Sequence, residues 1–495
     1  MKKIFFLFVM VFAVSMVMAQ NVSTVNQTGD QNSASATQTG ANTASVTQVG
    51  NDNDATQIQV GIGNHALIIQ DGVGTTNQET FDNTAVQNQD GKTNTATIVQ
   101  KEVGKAIASQ TQKGENNVAN IDQRNPWSNL VNNHTQLQTG NGNKANANVF
   151  NGGNTGSQTQ DGDNNWSQIN QAQSGNTAIH MQDGIKNYAF SSQGSGGSFV
   201  NVNQKGDDNI ATTVQTGAGN KINMDQIGNG NNAGVIPYWG GEMGVKQVGA
   251  DNETNFIQNG DNNTHFVLQQ GDGNDVVSDV DGDLNRGTVK QIGDLNNVVV
   301  EIEYGNKNET TVLQEGNENT AKIQSIGTVS SNSFYMSDLN IINMVQKGSK
   351  NTALFDVVAG DKNVVDIDQI GNSNYTSFGV KYGNENNFSE SANGNLNRTS
   401  LNITADWGSS SDGNMVAIEK NGNSNYVSGA IKGDTNEIDI TQTGSSNKVG
   451  TNWYTSDGLN VVGDMNQITV SQTGDGNMSL NSVMGNSNVI SVIQK

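Results

Sequence analysis

The stretch Asn42-Thr43-Ala44-Ser45-Val46-Thr47-Gln48-Val49-Gly50, followed by Asn53, Gln59 and Gly61, decides the fold. Asn and Gln stand six positions apart, and a Gly follows two residues after the Gln. The same unit, Asn-x5-Gln-x-Gly, runs outward in both directions with a period of about eleven residues. Asn21 leads to Gln27 and Gly29, Asn32 to Gln38 and Gly40, and Asn64 to Gln70 and Gly72. Asn220 with Gln226, Asn436 with Gln442, Asn466 with Gln472, and Asn488 with Gln494 carry it nearly to the last residue.

A spacing of six is even, so on an extended chain Asn and Gln project to one face. Residues between them at even offsets are often apolar, as with Ile222 and Met224, Val365 and Ile367, or Ile438 and Ile440. Odd offsets are mostly polar, as with Thr43, Ser45 and Thr47. Alternation with period two over seven residues describes a half-buried strand. The Gly-rich joint of about four residues reverses the chain. Two units, about 22 residues, then form one strand–turn–strand rung of an all-β solenoid.

Stacked rungs place Asn over Asn and Gln over Gln. Each side-chain amide has both a donor and an acceptor, so the columns can hydrogen-bond as ladders. The ladder set expected on this basis is Asn32, Gln38, Asn42, Gln48, Asn53, Gln59, Asn64, Gln70, Asn220, Gln226, Asn436, Gln442, Asn466, Gln472, Asn488 and Gln494. The turn set is Gly29, Gly40, Gly50, Gly61, Gly63 and Gly72.

Composition fits this reading. Only 33% of the 495 residues are hydrophobic, which is lean for a globular core of that length. A net charge of −22 argues against nucleic-acid binding, because phosphate contacts need a basic face. The chain has no Cys, which excludes disulfides and thiolate chemistry. Its two prolines, Pro126 and Pro237, fall where the repeat is broken, as strands that need every amide donor require.

Residues 1–19 read as a signal peptide. Lys2 and Lys3 precede the apolar run Ile4 to Val14, and small residues lead to cleavage before Gln20. No later window is apolar enough to span a bilayer. The expected organisation is signal peptide 1–19, regular repeats 20–228, an irregular insertion at 229–250, and more divergent repeats over 251–495. In the second half Gln is often replaced, with Asn274 leading to Val280, Asn374 to Val380, Asn414 to Lys420 and Asn425 to Ile431.

The segment Gln59-Val60-Gly61-Ile62-Gly63-Asn64-His65-Ala66, closing on Gln70, resembles the curlin repeat, Gln-x-Gly-x-Gly-Asn-x-Ala-x3-Gln. Gln215 to Asn220 and Gln472 to Asn477 match its joint. The resemblance implies an exported subunit that polymerises into cross-β functional-amyloid fibres outside Gram-negative cells and builds biofilm matrix. It implies self-assembly or co-assembly with other curlin-like subunits, with an export pore and chaperone as further partners.

Chemistry is sparse. His65, His134, His180 and His265 lie at different offsets in their repeats and share no metal-ligand spacing. Asp279-Val280-Asp281-Gly282-Asp283 begins like a calcium loop, but Leu284 and Lys290 stand where Gly and Glu are needed. Acidic residues fall mainly at outward offsets or in joints, where solvation accounts for them. The array breaks near 229–246, 327–339, 404–413 and 450–460, where aromatics such as Tyr238, Trp239, Phe334, Tyr335, Trp407, Trp453 and Tyr454 collect. These read as loops bulging from the solenoid.

The expected protein is therefore a non-enzymatic, cofactor-free, secreted structural protein, either a fibre subunit or a fibre-associated minor component. The last repeat runs to Gln494 with no capping element after it, so an end rung is expected to accept the next chain by β-augmentation. The alternative is a monomeric cell-surface solenoid acting in adhesion, or as an ice- or glycan-binding rod.

Overall fold

The computed structural model describes residues 20–72, 82–101, 105–124, 130–233, 244–326, 328–330, 333–335, 337–358, 360–405, 410–450 and 458–495. The signal segment, both prolines, and Tyr238, Trp239, Trp407, Trp453 and Tyr454 lie outside them. The chain divides into two compact units, Met1–Gly196 and Gly197–Lys495. Each is a parallel β-solenoid, and no helix occurs among the described residues.

In the first unit every rung holds two strands, and each strand pairs in parallel with its counterpart one rung on. Along one track Val22–Thr28 pairs with 43–49, which pairs with 65–71, then Thr95–Lys101, Val118–Arg124, Lys144–Phe150 and Trp166–Gln171. Along the other, 33–39 pairs with 54–60, and the column continues through Thr84–Lys92 to Thr177–Asp183. The register stays fixed because a one-residue slip would turn every inward side chain to solvent. Where the repeat is regular, ladder partners are 22 residues apart, as with Gln48 and Gln70. Extra residues at a joint lengthen that to 30 for Gln59 and Gln89 without disturbing the strands.

The second unit repeats this plan from Phe199–Lys205 to Val489–Gln494. Two insertions fall within a strand rather than at a joint. Asn232–Ala233 and Val245–Val248 both pair with Ile210–Thr216, one at each end. Lys448–Val449 and Leu459–Val462 share Tyr426–Lys432 in the same way. A third forms a small antiparallel hairpin, Thr328–Ser330 with Ser333–Tyr335.

The interior is narrow, and its filling differs between the units. In the first, small residues and methyl-bearing chains such as Val46, Ala55, Ile68, Ala85, Ile98 and Ala108 are buried together. In the second, Phe355, Phe378 and Phe388 stack, with ring centroids 5.7 and 3.9 Å apart. Larger side chains take the space there as one glutamine column gives way to apolar residues.

Most joints turn on two left-handed positions. The Gly two residues after Gln has φ near +110°, for example +101° at Gly40 and +112° at Gly61. Where such glycines stack directly, a side chain would collide: a Cβ on Gly40 would lie 1.8 Å from the Gly61 carbonyl oxygen of the next rung, whereas Gln173 and Asn151 hold the position at other joints with φ of +87° and +69°. The residue just before Asn is also left-handed, but more permissive. Gly63 holds it at +77°, whereas Asp52, Asn116 and Leu295 hold it at +57 to +61°. Only the first glycine is dictated by stacking as well as by dihedral angle.

Candidate functional site: the amide ladders and the rungs that expose them

The glutamine columns form side-chain hydrogen-bond ladders over several successive rungs. Gln27 donates to Gln48 at 2.6 Å, Gln48 to Gln70 at 2.9 Å, Gln70 to Gln100 at 2.9 Å and Gln100 to Gln123 at 3.0 Å. On the opposite track Gln38 donates to Gln59 at 2.8 Å, and Gln59 to Gln89 at 2.7 Å. The second Nε2 proton goes to a main-chain carbonyl across the interior, as from Gln48 to Ser33. In the second unit Gln226 donates to Gln258, Gln442 to Gln472, and Gln472 to Gln494. Buried amides in a medium of low dielectric are thereby satisfied by repetition.

The asparagine columns work differently. The Oδ1 of a column Asn typically accepts the main-chain N–H of the Asn one rung on, as Asn42 accepts from Asn64 at 3.1 Å and Asn32 from Asn53 at 3.1 Å; Asn83, followed one rung on by Ala106, leaves its Oδ1 unpartnered. The Nδ2 of a column Asn donates to the turn glycine of the next rung: Asn42 to Gly61, Asn32 to Gly50, Asn64 to Gly91 and Asn220 to Gly249. Asn414, Asn436, Asn466 and Asn488 add a direct amide-to-amide bond at each step. Asn thus clamps strand start to turn, which an amide one methylene longer could not reach in the same geometry. Gly29 stacks on Gly50 in one column as Gly40 stacks on Gly61 in the other, and the Gly72 amide donates to the Val49 carbonyl.

A second glutamine ladder, absent from the expected set, runs beside the first. Gln57, Gln87, Gln110, Gln136 and Gln158 are linked in sequence at 2.7–3.0 Å. They stand four residues after the start of the repeat, Asn in every case but Gln110, where it is Ala106; this is also an even offset, and the Gln-x-Gln pairs at 57–59, 87–89 and 110–112 are its signature in the sequence.

Every Gln–Gln bond has the same polarity: Nε2 points toward the later rung and Oε1 toward the earlier one. Unpartnered atoms accordingly mark where ladders start and stop. Gln57 Oε1 has no partner where Ala36 occupies the earlier rung. Gln258 Nε2 has none where Val280 follows, and Gln442 Oε1 has none where Lys420 precedes.

Ionisable groups patch some of these gaps. Val149 interrupts the column between Gln123 and Gln171, and His134 Nε2 reaches Gln171 Oε1 at 2.9 Å. His180 ends the second glutamine ladder, 2.8 Å from Ser167 and 2.6 Å from Ser191. Burial holds His134 at a pKa of about 4, His180 at about 3 and His265 at about 4, so all three are neutral at pH 7. His65, by contrast, points outward. Lys420 takes a glutamine position and, where Ala392 breaks the column, turns to the buried Glu390 at 2.5 Å and to Thr399. Burial lowers the Lys420 pKa and the Glu390 carboxylate opposes that shift. No group of three His, Cys, Asp or Glu side chains that could hold a metal occurs among the described residues.

The outermost described rungs leave ladder groups open to solvent. All of Val22–Thr28 is exposed, and along Val489–Gln494 the inward Ile490, Val492 and Gln494 are only half-buried, whereas their partners Ile468, Val470 and Gln472 one rung earlier are fully buried. Fold and ladders together define a repeat-built structural β-solenoid. Within it, residues 41–72, which include Gln59 to Gln70, match the family model of the Curlin associated repeat. A comparison with curated proteins gave no match. The matched repeat and the solenoid fold are consistent with a curli-like structural protein. No helix among the described residues is long and apolar enough to cross a membrane.

Proposed function

We propose that the protein is secreted and assembles, rung upon rung, as a curli-like fibre subunit or fibre-associated component of an extracellular matrix. The observation that carries this reading is the uniform polarity of the glutamine ladders. A rung presenting free Nε2 donors is complementary to one presenting free Oε1 acceptors, and to nothing of its own kind. Such a contact is heterologous, and heterologous contacts that do not close into a ring build filaments. The exposed rung 489–494 offers its strand edge, ladder amide and apolar side chains as a template for another rung, whichever chain supplies it. The acidic surface would slow association in dilute salt, and screening would hasten it.

The test is seeded growth of residues 20–495 followed by electron microscopy. Sheared fibres should abolish the lag and extend predominantly from one end, seen with seeds and monomer carrying different labels. A chain that stays as single particles in the presence of seeds would overturn the fibre reading and favour the adhesin alternative.

A further inference from the structure

Between 364 and 448 the two strand tracks of the second unit carry opposite charge on their outward faces. One track consists of Tyr375–Lys381, Arg398–Thr404, Tyr426–Lys432 and Lys448–Val449, paired in that order. It presents Lys381, Arg398, Lys432 and Lys448, and its strands contain no Asp or Glu. The other consists of Val364–Ile370, Asn387–Asn393, Met415–Asn421 and Glu437–Thr443. It presents Asp366, Asp368, Glu419, Glu437 and Asp439. The one Lys in those strands, Lys420, and the one further acid, Glu390, both point inward and neutralise each other. Four cations and no carboxylate on the described strands of one track are not what scattered substitution gives in a chain of net charge −22.

The cationic face also has a built shape. The Arg398 guanidinium lies over the Tyr375 ring, 4.3 Å from its centroid, which fixes its direction. Beside it a groove of about 520 Å³ runs across consecutive rungs past Arg398, Tyr426 and Lys448. Its joint-side wall is Ser373, Leu396, Ser424 and Ser446, again without an acid.

We infer that these two faces pair side by side between copies of this chain, the acidic stripe of one lying against Lys381, Arg398, Lys432 and Lys448 of the other. Arg398 and Lys448 stand at the starts of their strands and Lys381 and Lys432 at the ends, so the cations frame the face and recur at each edge every second rung, about 10 Å apart. Carboxylates of the acidic stripe seat in the groove against a guanidinium held in place, the geometry that favours Arg–carboxylate recognition. The repulsion between two acidic chains is screened beyond about 8 Å at physiological ionic strength, which leaves contact-range complementarity to set the orientation. This sideways association is separate from the end-on growth proposed above, and does not require it.

The experiment uses the full mature chain and two charge-reversed variants, all changes being at exposed side chains: Lys381→Glu/Lys432→Glu/Lys448→Glu and Asp366→Lys/Glu437→Lys/Asp439→Lys. Circular dichroism checks folding. Sedimentation of unseeded protein reads pairing, and microscopy of seeded fibres reads both bundling and elongation. Each variant alone should lose side-by-side association by about tenfold or more, and an equal mixture of the two should recover it. Unchanged elongation in the variants would show that end-on growth is independent. Unchanged association in either variant would overturn the inference. So would a mixture that fails to recover, which would assign the cationic face to another polyanion such as an acidic glycan.

Discussion

His134 Nε2 lies 2.9 Å from Gln171 Oε1 because Val149, in the rung between them, supplies no amide to the glutamine column. The imidazole spans the gap, and the space it needs is left by a glycine. A Cβ on Gly156, its partner in the next rung, would meet His134 Cε1 at 1.9 Å. Gly287 stands to His265 in the same way, with a Cβ 1.8 Å from Nε2.

Gly156→Ala should therefore destabilise the surrounding rungs by about 1–3 kcal/mol through overpacking. In a His134→Ala background the same change should cost little. A double-mutant cycle, read by hydrogen exchange of residues 132–182, should show coupling of at least about 1 kcal/mol. Additive effects would mean that Gly156 is not there for the histidine.

The joint glycines should separate sharply. Gly61 combines a φ of +112° with a carbonyl oxygen 1.8 Å from any Cβ, whereas a Cβ on Gly63 meets at nearest a flexible Thr93 methyl at 3.1 Å. Gly61→Ala is expected to lose at least about 2 kcal/mol. Gly63→Asn should be within about 0.5 kcal/mol of the parent, since Asn116 already adopts that conformation. Urea midpoints of the two variants give the comparison, and equal midpoints would contradict the stacking argument.

Removing one member of the Lys420–Glu390 pair strands the other charge where neither side chain reaches water. Glu390→Leu alone should cost about 3–5 kcal/mol. The double change Glu390→Leu/Lys420→Gln should recover most of that, because a glutamine at that position would donate to the unpartnered Oε1 of Gln442. Thermal melts of the three proteins decide it: a double variant no better than the single would show that the pair is not merely a repair of the ladder.

Acid should loosen the first unit. His134 and His180 are neutral when folded, with pKa values of about 4 and 3, but take up protons near 6.5 when unfolded. The unfolded state thus binds more protons between about pH 6.5 and 4. Stability should fall as pH drops through that window, by up to about 3 kcal/mol for each histidine. Carboxylates raised by burial, Asp275, Asp279 and Asp356 among them, act in the opposite sense but lie in the second unit. Hydrogen exchange at pH 7 and pH 5 should show weakened protection in the first unit, reduced in a His134→Gln/His180→Gln variant. Equal protection at both pH values would contradict neutral burial.

The rungs, two-track pairing and ladders are legible in the sequence because a strict even spacing leaves one face for Asn and Gln to share. The second glutamine ladder is equally legible in pairs such as Gln57 and Gln59, but it occupies an offset of four from the start of the repeat, outside the Asn-x5-Gln spacing. Glu390 also stands at an even offset, four after Asn386, and that parity marks it as inward despite its charge. The histidine patches are harder to read. Their logic runs diagonally across rungs, from His134 past Val149 to Gln171, and no periodicity within one repeat contains it. The asparagine clamp depends on the turn backbone, which spacing alone does not specify.

The most direct measurement is electron paramagnetic resonance of fibres carrying one spin label at Ser45, an outward position on 43–49. If each copy contributes a whole stack of its own rungs, equivalent labels are separated by that stack, and the spectrum should show no exchange narrowing. A single exchange-narrowed line, the sign of labels about 4.8 Å apart, would mean that copies stack flat and in register, and would contradict the solenoid as the unit of assembly.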